Sequence, residues 1–258
     1  MNDHLNVLIS HLDGKAGIAI KNFSLGCDFF YNENSKFHAA SVIKVPILIE
    51  LLRQCENETL TLDSKIELKE SDIVDGAGVL QELHPGLLLS FEDLAKLMIV
   101  VSDNTASNIL IDILGFDNIN SFISSAGLKG TCLNKKFMTP LQAPHLYNYT
   151  TPRDMLTLME KLYNGEFLSK ELTNKAISIM SRQQYREKIP KYLPEDLMIA
   201  NKTGEVSGVR HDCALIKCAG TNYGMAILTS ELKDVYAGDE FIAKVSLNVY
   251  DAFSGNGN

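Results

Sequence analysis

Ser41 and Lys44, three residues apart, are the first residues in this 258-residue chain whose types and spacing could do chemistry. On a helix the two side chains lie on one face, so the amine could reach the hydroxyl. A serine hydroxyl needs a base before it can act as a nucleophile. A lysine can serve if burial and a neighbouring cation lower its pKa. The pattern alone is weak evidence, because Ser230 and Lys233 repeat it.

Two more short motifs follow, Ser102-Asp103-Asn104 and Lys202-Thr203-Gly204. The first alone is typical of a helix start, and the second alone is typical of a hairpin corner. No dinucleotide-binding, phosphate-loop, zinc-protease or nucleophile-elbow motif is present, and the six histidines lack metal-ligand spacing. The sequence therefore predicts no metal and no cofactor, and each motif alone is explained equally well by local structure.

Together, and in this order, the three motifs resemble the signature set of the class A serine β-lactamases and penicillin-binding proteins. The gaps from 41 to 102 and from 102 to 202 are similar to those of class A β-lactamases. The segment SDNTASNILI resembles the helix that carries the second motif in that family. The segment NYTTPRDM resembles the stretch that closes the family's omega loop. The resemblance covers nearly the whole chain.

The resemblance implies catalytic roles for four residues. Ser41 is expected to become acylated and Lys44 to accept its proton. Ser102 is expected to pass that proton to the leaving nitrogen. The backbone N–H groups of Ser41 and Glu205 would form the oxyanion hole.

The resemblance also implies a set of substrate-binding residues: Asn104, Lys202, Thr203, Gly204 and Arg210. Asn104 would donate to a substrate amide, and Thr203 would bind a substrate carboxylate together with Arg210. Lys202 would tune the pKa of Lys44. We expect Lys44, Lys202 and Arg210 to form a positive pocket in a chain of net charge −8.

The segment that corresponds to the omega loop, residues 128–149, contains no Asp or Glu. Class A enzymes carry a glutamate there that activates the water for deacylation. Gln142 cannot take a proton from water, whereas His145 could, and Glu82 or Glu205 are acids from elsewhere. Loss of a general base slows the step it serves by ~10²–10⁴-fold. An acyl-enzyme is therefore expected to accumulate.

Four interpretations of the function remain. The leading one is a β-lactamase-like serine hydrolase that forms a Ser41 acyl-enzyme with β-lactams and deacylates poorly. The acid-free segment favours a penicillin-binding-protein-like D-Ala-D-Ala peptidase or amidase that merely captures β-lactams. A third is a non-catalytic sensor of β-lactams or muropeptides, in which acylation is the signal. A fold-only relative without activity is the least favoured.

Hydrophobic periodicity predicts the elements that must position these residues. Helices are expected at both ends, and a helical middle runs from Ser41, which begins one helix, to Gln183. Strands are expected at Gly17–Phe23, Cys27–Tyr31, Met198–Gly204, Val209–Cys218 and Tyr223–Ser230. The pattern predicts an α+β fold with an antiparallel sheet of about five strands, built from both chain ends and covered by helices. The single domain, 1–258, would comprise a sheet-containing subdomain (1–35 with 186–258) and a helical subdomain (36–185).

The composition, 45% hydrophobic and 22% charged, is that of a globular protein. Its acidity argues against nucleic acid and anionic membrane surfaces as partners. A small β-lactam or a peptidoglycan-like peptide is the expected partner of a monomer. No membrane span or signal peptide is recognisable, so the chain as written is expected in the cytoplasm, or in the periplasm or outside the cell if a leader had been trimmed.

Overall fold

The computed structural model describes residues 1–24, 26–140, 146–218 and 220–255. Its strands are β1 (Lys15–Asn22), β2 (Asp28–Tyr31), β3 (Phe37–His38), β4 (Lys65–Glu67), β5 (Leu88–Ser90), β6 (Tyr149–Thr150), β7 (Met198–Val206), β8 (Val209–Cys218) and β9 (Thr221–Ser230). Its α-helices are α1 (Asn2–Ser10), α2 (Lys44–Glu56), α3 (Phe91–Val100), α4 (Asn104–Leu114), α5 (Phe116–Ser125), α6 (Pro152–Tyr163), α7 (Lys170–Met180) and α8 (Val235–Ser254). No helix within these ranges has the length and apolar content to span a bilayer.

The main sheet has five antiparallel strands in the order β2-β1-β9-β8-β7. Strand β1 pairs with β9 from Lys15 opposite Ser230 to Asn22 opposite Tyr223, so the two chain ends are joined directly. The predicted α+β fold, with an antiparallel sheet built from both termini, is confirmed. The two-stranded pairs β3–β6 and β4–β5 were not predicted, because strands of two or three residues are too short to show alternation.

The two faces of the sheet bury different side chains, as the alternation along each strand requires. Ile18 and Ile20 pack with Leu5 of α1 and Phe241 of α8. Ala19 belongs instead to the larger core that includes most of α2 to α7. Helix α6 contacts β1, β8 and β9 on that second face. The terminal helices therefore cover one face of the sheet, as predicted, and the helical half covers the other.

Helix α2 begins later than the sequence predicts. The segment Ala40–Ile43 forms a 3₁₀ turn, and the α-helix starts only at Lys44. Pro46 explains the difference, because it has no N–H and its ring clashes with a helical carbonyl four residues earlier, at Val42. Each residue from Lys44 to Leu52 is buried. A helix buried on all sides lies in the centre of its half of the molecule.

Asp103 ties the start of α4 to the preceding segment. One carboxylate oxygen caps α4 by accepting from the backbone N–H of Ala106 at 2.8 Å. The other oxygen accepts from the backbone N–H groups of Val79 and Leu80 at 2.7 and 2.8 Å. Gly78 makes this approach possible, since a Cβ there would lie 2.3 Å from the Asp103 carboxyl carbon. Asp103 thus fixes the loop on either side of Ser102.

We predict that Asp103→Ala lowers the free energy of unfolding by about 3–5 kcal/mol, because three backbone donors lose a charged acceptor. Urea unfolding measures this difference. Ser90→Ala, which removes the exposed cap of α3, is the matched control and should cost about 1 kcal/mol. Equal costs for the two variants would contradict the anchoring role of Asp103.

Candidate active site

A cavity of about 420 Å³ opens where the Ala40–Ile43 turn, β7, the start of α4 and residues 135–138 meet. Ser41, Asn104, Phe137 and Glu205 are among the residues that line it. Ser41 is half-buried there, at the second position of the turn. A second cavity of about 440 Å³ lies beside Phe116 and is lined by none of the motif residues. The first cavity is therefore the candidate active site.

The amine of Lys44 is the polar centre of this site. Its side chain is 0% exposed. The Nζ atom donates to the Ser102 carbonyl at 2.6 Å and to Asn104 Oδ1 at 2.9 Å, and it lies 3.2 Å from Ser102 Oγ. All three oxygens belong to neutral groups. The structure therefore brings the lysine of the first motif against the serine and asparagine of the second.

Ser102 joins the two buried lysines. Its Oγ lies 3.2 Å from Lys44 Nζ and 3.1 Å from Lys202 Nζ, and both lysines are fully buried. The backbone of Ser102 has a φ of +56°, an uncommon conformation for a residue other than glycine. That conformation lets the carbonyl and the hydroxyl of one residue face the same amine. The three sequence motifs are thus connected through a single side chain.

Burial and the charge of Lys202 hold the pKa of Lys44 well below its ordinary value, against the opposing effect of Asp103. Burial likewise lowers the pKa of Lys202 to about 7, although Asp212 opposes it. A neutral Lys44 can still donate two N–H groups to the Ser102 carbonyl and Asn104. Its lone pair is then available to accept a proton. The environment therefore favours Lys44 as a base.

Strand β7 approaches the Ser41 turn closely at Gly204. A Cβ at that position would lie 3.2 Å from both the Ser41 backbone nitrogen and the Ala40 Cβ. Alternation along the strand places Lys202 and Gly204 on the side of the turn, and Thr203 on the opposite side. Gly204 therefore allows the edge of the sheet to reach the residue expected to be the nucleophile.

Phe137, which the sequence did not single out, faces the Lys44 amine. Its ring centroid lies 4.3 Å from Nζ. Asn108 holds this position by accepting from the Phe137 N–H at 2.8 Å and donating to its carbonyl at 3.0 Å. The ring therefore covers one side of the amine. The hydrogen bonds join residues 29 positions apart, and no local sequence pattern predicts such a contact.

Of the candidate deacylation bases among the described residues, Glu205 lines the cavity and Glu82 does not. Gln142 and His145 lie outside the described residues. Glu82 is exposed in the Leu80–Glu82 turn and is not among the residues that line the cavity. Glu205 lines the cavity, but its carboxylate is bound to Lys188 at 2.5 Å. Among the described residues of 128–149, Phe137 makes the contact to Lys44, and its ring has no proton acceptor.

A second cluster of charges lies on the opposite side of β7. Lys188 is 0% exposed, and its Nζ lies 2.6 Å from Glu187, 2.5 Å from Glu205 and 3.4 Å from Asp239. Burial works to lower the pKa of Lys188, but Glu205 and Glu187 raise it above the ordinary value. Neither Lys188 nor Asp239 lies in a motif, so the sequence did not identify them as residues near the site.

Arg210 belongs to this cluster. Its Nε lies 3.3 Å from Asp239 Oδ1, and its Nη1 donates to the carbonyls of Val206 and Val209. It is not among the described residues that line the cavity. Of the three cations expected to form a positive pocket, Arg210 is therefore paired with a carboxylate, whereas Lys44 and Lys202 donate to neutral oxygens. Substrate binding by Arg210 itself stays a prediction.

Asp212 is a buried acid that sequence reasoning also missed. It lies opposite Thr203 in the β7–β8 register and accepts from the Asn201 side chain at 3.0 Å and from the Ile189 N–H at 3.1 Å. Burial raises its pKa to about 7. A charged residue in the apolar strand HDCALIK was the available signal. Asp212 and Lys202 oppose the pKa shift that burial imposes on each other.

The histidines nearest the site make backbone contacts. His38 lines the cavity and accepts from the Ala40 N–H at 2.9 Å, and His211 Nε2 lies 2.7 Å from the His38 carbonyl. Burial lowers the pKa of His211 to about 4, so its ring is neutral near pH 7. Within the described ranges, no three His, Cys, Asp or Glu side chains form a group that could hold a metal ion.

Comparison with known proteins matches residues 1–253 to the model of a family described as the β-lactamase enzyme family. Among curated relatives, β-lactamase CARB-4 of Pseudomonas aeruginosa is 26% identical over 202 residues. That alignment covers 77% of this chain and 70% of the relative. The match to the family model therefore includes all three motifs.

Solved structures agree with this assignment. A β-lactamase from Sphaerobacter thermophilus DSM 20745 has a TM-score of 0.92 and 31% identity, covering 97% of this chain and 95% of its own. A mutant of PBP-A, solved as an acyl-enzyme complex with penicillin G, has a TM-score of 0.90 and 30% identity, covering 98% and 96%. The chain belongs to the β-lactamase enzyme family, within the superfamily of class A serine β-lactamases and penicillin-binding proteins.

Proposed function

We propose that this chain is a serine hydrolase in which Ser41 opens a β-lactam to give an acyl-enzyme that is hydrolysed slowly. The observation that carries the proposal is the fully buried Lys44 amine, which contacts Ser102 and Asn104 beneath the cavity that Ser41 lines. Membership of the β-lactamase family supports the reaction class. Three steps follow from the arrangement of the residues.

In the first step, Ser41 Oγ forms a bond to the β-lactam carbonyl carbon while its proton passes to neutral Lys44. The backbone N–H groups of Ser41 and Glu205 are the proposed donors to the oxyanion. Gly204 supports this geometry, because it brings β7 against the Ser41 turn. The negative charge then develops between two backbone dipoles.

In the second step, the C–N bond of the lactam breaks and the nitrogen takes a proton. Ser102 Oγ is the proposed donor, since it lies within 3.2 Å of Lys44 Nζ and can be re-protonated from that amine. Lys202, 3.1 Å from the same oxygen, stabilises negative charge on Ser102 during the transfer. The proton lost by Ser41 thus ends on the leaving nitrogen.

The third step, hydrolysis of the ester, needs a base that activates water. Phe137 occupies the contact to Lys44, and its ring cannot accept a proton. Residues 128–149 contain no Asp or Glu. We therefore propose that deacylation limits turnover and that the β-lactam acyl-enzyme accumulates.

The absence of Asp and Glu from residues 128–149 also favours a second candidate, a D-Ala-D-Ala peptidase or amidase that captures β-lactams. Release of D-Ala from a small D-Ala-D-Ala peptide, set beside turnover of a chromogenic cephalosporin, separates the two candidates. Intact mass after incubation with penicillin tests what they share. Rapid cephalosporin turnover without an adduct would contradict slow deacylation. Absence of a penicillin adduct, of cephalosporin turnover and of D-Ala release would contradict both candidate functions.

We predict that Ser41→Ala lowers acylation by penicillin by roughly 10³-fold or more, because Ser41 is the proposed nucleophile and lines the cavity. Intact mass spectrometry counts the adduct, and thermal unfolding checks the fold. Ser230→Ala is the matched control, since Ser230 and Lys233 repeat the first motif at the end of β9. An adduct that persists in Ser41→Ala, or that maps to Ser230, would overturn the assignment.

We predict that acylation slows as pH falls, because protonated Lys44 cannot accept the proton of Ser41. Lys202→Gln removes a cation that lowers the Lys44 pKa, so the acid limb should move to higher pH. Stopped-flow acylation rates from pH 4 to 9 give the two profiles. Lys15→Gln, at an exposed ion pair with Glu231, should leave the limb in place. A limb that is unmoved or lower in Lys202→Gln would count against this coupling.

We predict that Phe137→Glu shortens the lifetime of the acyl-enzyme by ~10²–10⁴-fold, because a carboxylate beside Lys44 supplies the missing base. The decay of the penicillin adduct by mass spectrometry measures this lifetime. Phe137→Gln opens the same space without a proton acceptor and should change the lifetime far less. If both variants deacylate equally fast, water access rather than basicity limits the step.

A further inference from the structure

Glu205 is the residue that connects the candidate active site to the buried cluster around Lys188. It directly follows the Lys202-Thr203-Gly204 motif and lines the cavity. Its side chain is 43% exposed, and its carboxylate lies 2.5 Å from Lys188 Nζ. A carboxylate thus stands at the β7 end of the cavity, two residues after Thr203, which was expected to bind an anionic substrate group.

The cations near this end are already matched by acids. Lys188 contacts Glu187, Glu205 and Asp239, and Arg210 lies against Asp239. Burial works to raise the pKa of Glu205, but Lys188, Arg210 and Lys202 together hold it below the ordinary value. Glu205 is therefore ionised near pH 7.

A substrate carboxylate placed at this end would meet the negative charge of Glu205 at close range. Lys188 cannot offset that repulsion freely, because it is 0% exposed and its Nζ already contacts three carboxylates. Like charges a few ångströms apart, in a partly buried site, repel by an energy that changes binding severalfold or more. An uncharged or cationic group avoids this cost.

We propose that Glu205 is a specificity-determining residue that disfavours a substrate carboxylate at the β7 end of the cavity and selects amide or lactam substrates that are uncharged or cationic there. This inference rests on the proposed function and names the substrate class of the same site. It concerns the side chain of Glu205, whereas catalysis uses only the backbone N–H of that residue.

The test compares two probes that differ in one charge, a penicillin and its C3-carboxamide. Acylation rates of both are measured for the unaltered protein, Glu205→Gln and Glu187→Gln, with thermal unfolding as a check on the fold. Both variants remove one carboxylate from Lys188, but Glu187 is absent from the described lining of the cavity. Glu187→Gln is thus a matched control for loss of charge on Lys188.

Glu205→Gln is expected to raise the acid-to-amide ratio of acylation rates about tenfold, because it removes the negative charge that repels the acid. Glu187→Gln should change the ratio by less than about twofold, because Glu187 is not among the described residues that line the cavity. The effect of Glu205→Gln should also shrink in high salt. An unchanged ratio in Glu205→Gln, or an equal change in both variants, would overturn the proposal.

The same ratio is measured as dissociation constants in the Ser41→Ala background, where no acyl-enzyme can form. Tighter binding of the acid in Ser41→Ala with Glu205→Gln supports the role of Glu205 even if neither probe acylates the unaltered protein. Absence of acylation would contradict the proposed function alone. A binding ratio that does not respond to Glu205→Gln would contradict the inference alone.

Discussion

The buried amine of Lys44 is the constraint on which the rest of the site depends. Burying an amine away from water costs several kcal/mol of folding free energy unless protein groups replace its hydrogen bonds to water. Ser102 and Asn104 supply the oxygens, and the Phe137 ring covers one side. Those oxygens face the amine because Ser102 adopts a φ of +56° and Asp103 anchors the loop beside it. The conformation of the second motif thus supplies the acceptors that a buried amine requires.

Lys44 and Lys188 show how the same residue type acquires opposite properties. Both are 0% exposed. Lys44 donates only to neutral oxygens and lies near the charge of Lys202, so burial lowers its pKa and favours a base. Lys188 contacts three carboxylates, so its pKa rises and it remains a cation. Strand β7 separates the two environments, because alternate side chains point to opposite sides.

Fold and chemistry are separable in this molecule. The sheet and helices superpose on β-lactamases at TM-scores near 0.9, and the three motifs meet within that frame. Residues 128–149 contain no Asp or Glu, and Glu205 directly follows the third motif. A loop can change without disturbing the core, since its backbone needs only a few anchors, such as the two hydrogen bonds from Asn108 to Phe137. The proposed slow deacylation and substrate preference therefore depend on residues outside the three motifs.

The fold class, the strands β7 to β9 and the three motifs could be predicted from the sequence, because they depend on local periodicity and on residue types in fixed order. The absence of an acid from residues 128–149 was also readable there. The contact of Phe137 with Lys44 and the ion pair of Lys188 with Glu205 emerge only in the folded chain. Those contacts join residues far apart in the chain, whose pairing leaves no periodic signal. The late start of α2 was readable in principle from Pro46, whereas the charge balance around Arg210 required the position of Asp239 on α8.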